Sequence, residues 1–161
     1  MESNTIMNTI FYLERIGVIV VAVLLLLIIK MQFGARQVSA TLIFGDKTLT
    51  VLVADTTLSR MRGLGGRDSL APYDGMFFFF DSPAKYGIWM KDMLFPIDIV
   101  WLAKDPEPNS MVVVDLAEDV APKTYPKIFS PTHNASFVLE LPAGFAREQE
   151  IKIGSRIFLK K

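Results

Sequence analysis

The longest departure from an alternating pattern comes early in the chain, where Ile16 to Ile29 runs without a charged or polar side chain between Glu14-Arg15 and Lys30. At 1.5 Å per residue such a helix covers about 21 Å, against a bilayer core of roughly 30 Å. Ile10 to Leu13 extend the apolar surface upstream. Downstream, Lys30 can snorkel so that Met31 and Phe33 extend it further. The pattern predicts an uncleaved transmembrane anchor. The alternatives are a signal peptide cleaved near Val38-Ser39-Ala40, or a buried soluble helix, and the second suffers because the run is not amphipathic.

Beyond Gln37 the pattern shortens to β-like runs. Val38 to Phe44 and Lys47 to Val53 flank Gly45-Asp46, a two-residue hairpin signal. Asp55 or Thr56 can cap a short helix with Leu58 and Met61 on one face, ending at Gly63. Strands are predicted over Met76 to Phe80, Tyr86 to Met90, Ile97 to Ala103, Met111 to Leu116 and Ser136 to Leu141. Lys104 to Ser110 forms a polar loop, Gly144 to Glu150 a turn of helix, and Ile151 to Phe158 a last strand broken at Gly154. The expected fold is mainly β, a small antiparallel barrel or sandwich with one or two short helices, preceded by the N-terminal transmembrane helix. Residues 1–36 make the anchor and a short juxtamembrane linker, and residues 37–161 a single domain of sufficient size for one core.

Four phenylalanines in a row, Phe77 to Phe80, break the alternation. Such a strand is covered on both faces, or else presents aromatic surface in a groove together with Trp89. Asp98 stands between Ile97 and Ile99, so in a strand its side chain faces opposite to both. If that face is inward, the carboxylate needs a cation or backbone donors.

These residues belong to a wider pattern. Gly63, Leu64 and Arg67, then Gly75 and Met76, then Trp89 to Asp92 with Pro96 and Asp98, and finally Val138 to Gly144 together resemble a bacterial and archaeal family known as domain of unknown function 192. The resemblance runs from about Leu49 to Ile157. It implies no reaction, since the family has none to lend. Gly65-Gly66 stands where that family's pattern has Met before a variable residue, which leaves the packing of the turn open.

The candidate site is accordingly a cleft of Arg67, Trp89, Lys91, Asp92 and Asp98. One reading makes Arg67 and Asp98 a structural ion pair pinning the glycine-rich turn to the sheet. The other makes Arg67 and Lys91 anion donors with Asp98 as orienter or base.

Composition removes other classes. Lys plus Arg (17) balances Asp plus Glu (17) without a basic block, so nucleic acid is not an expected partner. The chain has no Cys and one His, His133, which rules out disulfides and thiolate chemistry and argues against a zinc site. A triad of Ser130 or Ser136 with His133 and Asp115 or Asp119 lacks a nucleophile-elbow context. Met61, Met76, Met90 and Met93 suit core filling better than Cu(I). No cofactor or metal is expected.

Flanking charge, Arg15 before the apolar run against Lys30, Arg36 and Lys47 after it, would place the domain in the cytoplasm. The family resemblance favours the extracytoplasmic side, which is the expectation adopted. The chain then reads as a single-pass cell-envelope protein. It acts as a binding or accessory module, with an envelope protein or a small anionic or saccharide ligand as partner. A hydrolase using the Arg/Lys/Asp cleft and a purely structural interaction protein are the competing classes.

Overall fold

The computed structural model describes residues 15–27 and 38–160. Contacts divide the chain into two units, Met1–Arg36 and Gln37–Lys161. In the first, residues 15–27 form a helix, α1, whose side chains are all exposed. Among the described residues no helix is long and apolar enough to cross a membrane. Of the expected anchor, Ile16 to Ile29, the last two residues lie outside them, and the linker, Lys30 to Gln37, lies outside them entirely.

In the second unit β1 (Ser39–Phe44) and β2 (Lys47–Ala54) form the expected hairpin, with Gly45 at φ 57 in the turn. Then come α2 (Thr57–Arg62), β3 (Gly75–Ala84), β4 (Ile88–Trp89), β5 (Ile97–Lys104), β6 (Ser110–Val120), β7 (Ile128–Phe129), β8 (Ala135–Pro142), α3 (Phe145–Glu148) and β9 (Arg156–Leu159). Seven strands close into a barrel in the order β1-β2-β3-β8-β5-β6-β9, while β4 and β7 pair separately. The barrel departs from the antiparallel expectation at one seam, since β2 and β3 run parallel from Val51↔Gly75 to Ala54↔Phe78. Parallel neighbours need a crossover longer than a hairpin, and residues 55–74 with α2 supply it.

Two apolar layers follow from the pleat. Every barrel strand sends side chains into one of them, including Leu42, Val51, Phe77, Val100, Met111, Leu139 and Ile157, which identifies that layer as the barrel interior. The other lies outside β2, β3, β8 and β5, where Leu52, Phe78, Ile99, Trp101 and Val138 are covered by Leu64, Leu70, Met90 and Met93 from the connecting segments. The phenylalanine run thus divides by parity. Phe77 points inward and stacks on Phe137 with centroids 5.3 Å apart, and Phe78 points to the outer layer. Phe79 is 37% exposed and packs against Phe137 with centroids 5.4 Å apart, and Phe80 stacks on Tyr86.

The expected short helix is α2, ended at Gly63, and it buries none of its residues, so the face with Leu58 and Met61 is exposed. Two local expectations need correction. Residues 151–155 are turn and loop rather than strand, so the last strand begins at Arg156. The predicted strand Tyr86 to Met90 shrinks to Ile88–Trp89, which is paired with β7, a strand too short to predict from pattern.

Candidate functional site

A cleft of about 400 Å³ opens between the end of α2 and the segment around β4. Its first wall begins with a well-terminated helix. Thr56 accepts from the Ser59 N–H and Ser59 closes the reciprocal capping box, while Gly63 ends the helix at φ 51 and donates its N–H to the Ser59 carbonyl. The chain then turns through Leu64, which is buried, and meets the second wall backbone to backbone. Gly66 donates to the Asp92 carbonyl at 2.8 Å. A Cβ on Gly65 would lie only 3.2 Å from the Lys91 carbonyl oxygen, so the two walls touch there. The turn is tightly packed at Gly65 and open at Gly66.

The second wall carries the expected aromatic and charges. Trp89 is about half exposed, Tyr125 meets it edge-on at 6.0 Å, and the Lys91 ammonium lies 5.8 Å from the Trp89 ring. Lys91 and Asp92 also line the cleft, as do Arg60 and Arg62 from α2. Arg60 is partly committed, since its guanidinium donates to the Asp55 and Phe79 carbonyls and lies over the Phe80 ring. Phe78 and Glu140 complete the lining.

Glu140 is the residue that the sequence reading missed. In β8 it lies across from Met76 of β3 on one side and Ile99 of β5 on the other, on the outer face of the sheet. It is 5% exposed, and its Oε2 has no hydrogen-bond partner. Burial, with no cation to offset it, pushes its carboxyl up to about 8, so it holds its proton at neutral pH. The signal was available, because an acid within Phe137-Val138-Leu139-Glu140-Leu141 raises the same question as Asp98 between two isoleucines.

The expected five residues do not form one cluster. Trp89, Lys91 and Asp92 share the cleft, whereas Arg67 and Asp98 are not among its lining. Arg67 continues the turn, donating its N–H to the Leu64 carbonyl, and makes no ion pair among the described residues. Asp98 is fully buried, on the same strand parity as the inward-facing Val100 and Leu102. Its carboxylate accepts N–H bonds from Asp119 at 2.8 Å, Gly144 at 3.1 Å and Ala146 at 2.8 Å. The expected Arg67–Asp98 pair is therefore replaced by backbone donors. Asp119, at the irregular pairing near the end of β6, and Gly144, the cap of α3, both have positive φ, so one carboxylate fixes two left-handed residues, and the Arg147–Asp119 ion pair joins the same two segments at the surface.

The remaining candidates are accounted for by packing. His133 Nδ1 lies 2.9 Å from the Thr132 hydroxyl, and Thr132 donates to Asp115 through both its N–H and its hydroxyl, which is a loop clasp. Met76, Met90 and Met93 are core residues of the outer layer. Among the described residues no group of three or more His, Cys, Asp or Glu side chains is placed to hold a metal.

Residues 40–159 match the model of the DUF192 family, described as "Uncharacterized ACR". Among solved structures, a candidate transcription regulator from Sinorhizobium meliloti 1021 is similar at 26% identity and a TM-score of 0.67, over 76% of this chain and 95% of that one. A protein of unknown function from Novosphingobium aromaticivorans DSM 12444 shares the fold at 24% identity and a TM-score of 0.63, over 75% and 84% of the two chains. No curated protein matches.

Two outcomes follow from the acids. Replacing Asp98 by Ala orphans three N–H groups, two of them buried, and should cost about 3 kcal/mol or more, whereas Arg67→Ala should cost about 1 kcal/mol or less. Urea midpoints of the two variants measure this, and equal losses would restore the ion-pair reading. For Glu140 the folded-state pKa, about 8, lies above its ordinary value of 4.5. Its protonation therefore stabilises the fold fully below about pH 4.5, and that contribution falls by about 1.4 kcal/mol per pH unit until it is gone above about pH 8. Between pH 5.5 and 7.5 the parent should lose about 2–3 kcal/mol more stability than Glu140→Gln. Identical pH responses in parent and variant would show Glu140 to be solvated.

Proposed function

This chain belongs to the DUF192 family, and we propose that within it the protein is a membrane-tethered binding module of the cell envelope whose cleft takes a small anionic ligand. The observation that carries the reading is Glu140, a buried acid with an unpartnered oxygen in the lining of an open cleft. A buried polar group without a partner costs free energy, and a ligand atom is one way to supply the missing partner. In its protonated form Glu140 donates a hydrogen bond to an acceptor and adds no negative charge. Arg60 and Lys91 in the lining then face the single carboxylate Asp92, which favours an anion. Trp89 offers a flat face for the rest of the ligand.

The tether rests on the apolar run Ile16 to Ile29, and the extracytoplasmic placement on the family resemblance. A second reading, a hydrolase of a saccharide, draws on the same raised carboxyl. An acid that keeps its proton near neutral pH is suited to general acid catalysis, with Asp92 as the other carboxylate of the cleft.

The test is a titration of the full-length chain in neutral detergent micelles with inorganic phosphate and, separately, glucuronate, followed by Trp fluorescence. Trp101 is buried, so Trp89 dominates any response to a ligand. A saturable change is expected with at least one probe, weakened about tenfold or more by Lys91→Ala, since bonds to charged groups contribute about 1.5–3 kcal/mol. No response at millimolar probe, or a response that Lys91→Ala leaves intact, would refute the binding reading.

A further inference from the structure

The mouth of the cleft carries apolar side chains that no other part of the domain covers. On α2, Leu58 and Met61 are 79% and 76% exposed and lie three residues apart, hence on one face, and Met61 itself lines the cleft. Across the opening stands Trp89, with Tyr125 against its ring and Ile128 opposite it in the β4–β7 pair. Ile128 is 59% exposed, as is Leu94 at 60%, next to the cleft-lining Met93. Single exposed apolar residues are ordinary on a protein surface, but Met61 and Trp89 in the lining, with four more beside them in helix, ring contact, strand pair or sequence, mark an interaction surface.

The charge around this rim narrows the choice of partner. Arg60 and Lys91 line the cleft, and the Lys127 ammonium sits over Phe129 beside Ile128. Trp and Tyr next to apolar residues and cations form the chemistry that settles at a membrane interface, the rings at headgroup depth and the cations on anionic lipids. The chain supplies proximity as well. Residues 30–37 separate the apolar run from the domain, and even fully extended they reach only about 25–30 Å. A domain held that close meets the bilayer at high effective concentration, so a modest patch suffices to orient it.

Resting on the tethered reading given above, we infer that the apolar rim docks onto a bilayer surface rich in anionic headgroups, so that the cleft opens among those headgroups. Its ligand then arrives from the membrane plane, and an anionic lipid headgroup matches the cationic lining. Leu58 and Met61 are wedges, and Trp89 sits at the boundary.

The experiment uses the full-length chain with vesicles of phosphatidylcholine alone or mixed with phosphatidylglycerol. Flotation reports the tether, and acrylamide quenching of Trp89 reports docking. Trp101 is silent because it is buried, with its Nε1–H donated to the Tyr86 carbonyl. The chain should float with both vesicle types, with acrylamide quenching about threefold lower or better on the anionic ones. The Leu58→Ser, Met61→Ser double variant should still float but regain full quenching. Flotation with quenching that is equal on both vesicle types would overturn docking while leaving the tether intact. Failure to float on either would overturn the tether and the docking together. Protection of Trp89 without any vesicle would assign the rim to a second copy of the chain, which also overturns docking.

Discussion

Strand β8 has no solvent-facing side. From Ala135 to Leu141 every residue is buried, because barrel closure puts one face of the strand against the interior and the connecting segments cover the other. On a strand placed in this way a side chain has two destinations, both dry, and parity along the chain decides between them. The adjoining part of β5, Ile97 to Leu102, is under the same constraint. Hydrophobic residues meet it without difficulty, which is why these strands read as nearly continuous apolar runs. An acidic residue meets it only with a dedicated set of donors, or by keeping its proton.

The two acids take these two routes. Asp98 accepts from three N–H donors, and two of them belong to residues with positive φ, Asp119 at the irregular end of β6 and Gly144 at the cap of α3. It is a structural group, and its three acceptor bonds are what it does. Glu140, one strand away and on the other face, has an oxygen without such an arrangement and keeps its proton instead. The walls around it are held by backbone contact at Gly65-Gly66, and the polar groups they present at the opening are mostly cationic. The opposite outcomes of two similar residues separate the part of the domain that holds the barrel from the part that lines the cleft.

Local chemistry made much of this legible in advance. The Gly45-Asp46 turn, the Thr56 cap and the Gly63 stop depend on residues within a few positions of each other, and each falls where the sequence places it. Trp89, Lys91 and Asp92 share a cleft because they are neighbours in one short segment. Asp98 was recognisable as needing donors, but Asp119, Gly144 and Ala146 lie 21 to 48 residues away, and no local pattern points to them. The parallel seam between β2 and β3 escaped for a related reason, because pairing direction depends on where a crossover lands. Glu140 differs from these. The argument applied to Asp98 would have found it, since Val138, Leu139 and Leu141 around it announce a buried strand.

The account turns on the charge state of Glu140, and that can be observed at the carboxyl carbon itself. In the full-length protein labelled with ¹³C at glutamate side chains, the Glu140 resonance, assigned by its loss in Glu140→Gln, should titrate with a midpoint near 8 and keep the protonated shift at pH 6. A midpoint near 4.5, the ordinary value, would mean that the carboxylate is solvated or paired. The cleft would then hold an anion of its own, and the anionic-ligand reading would fail.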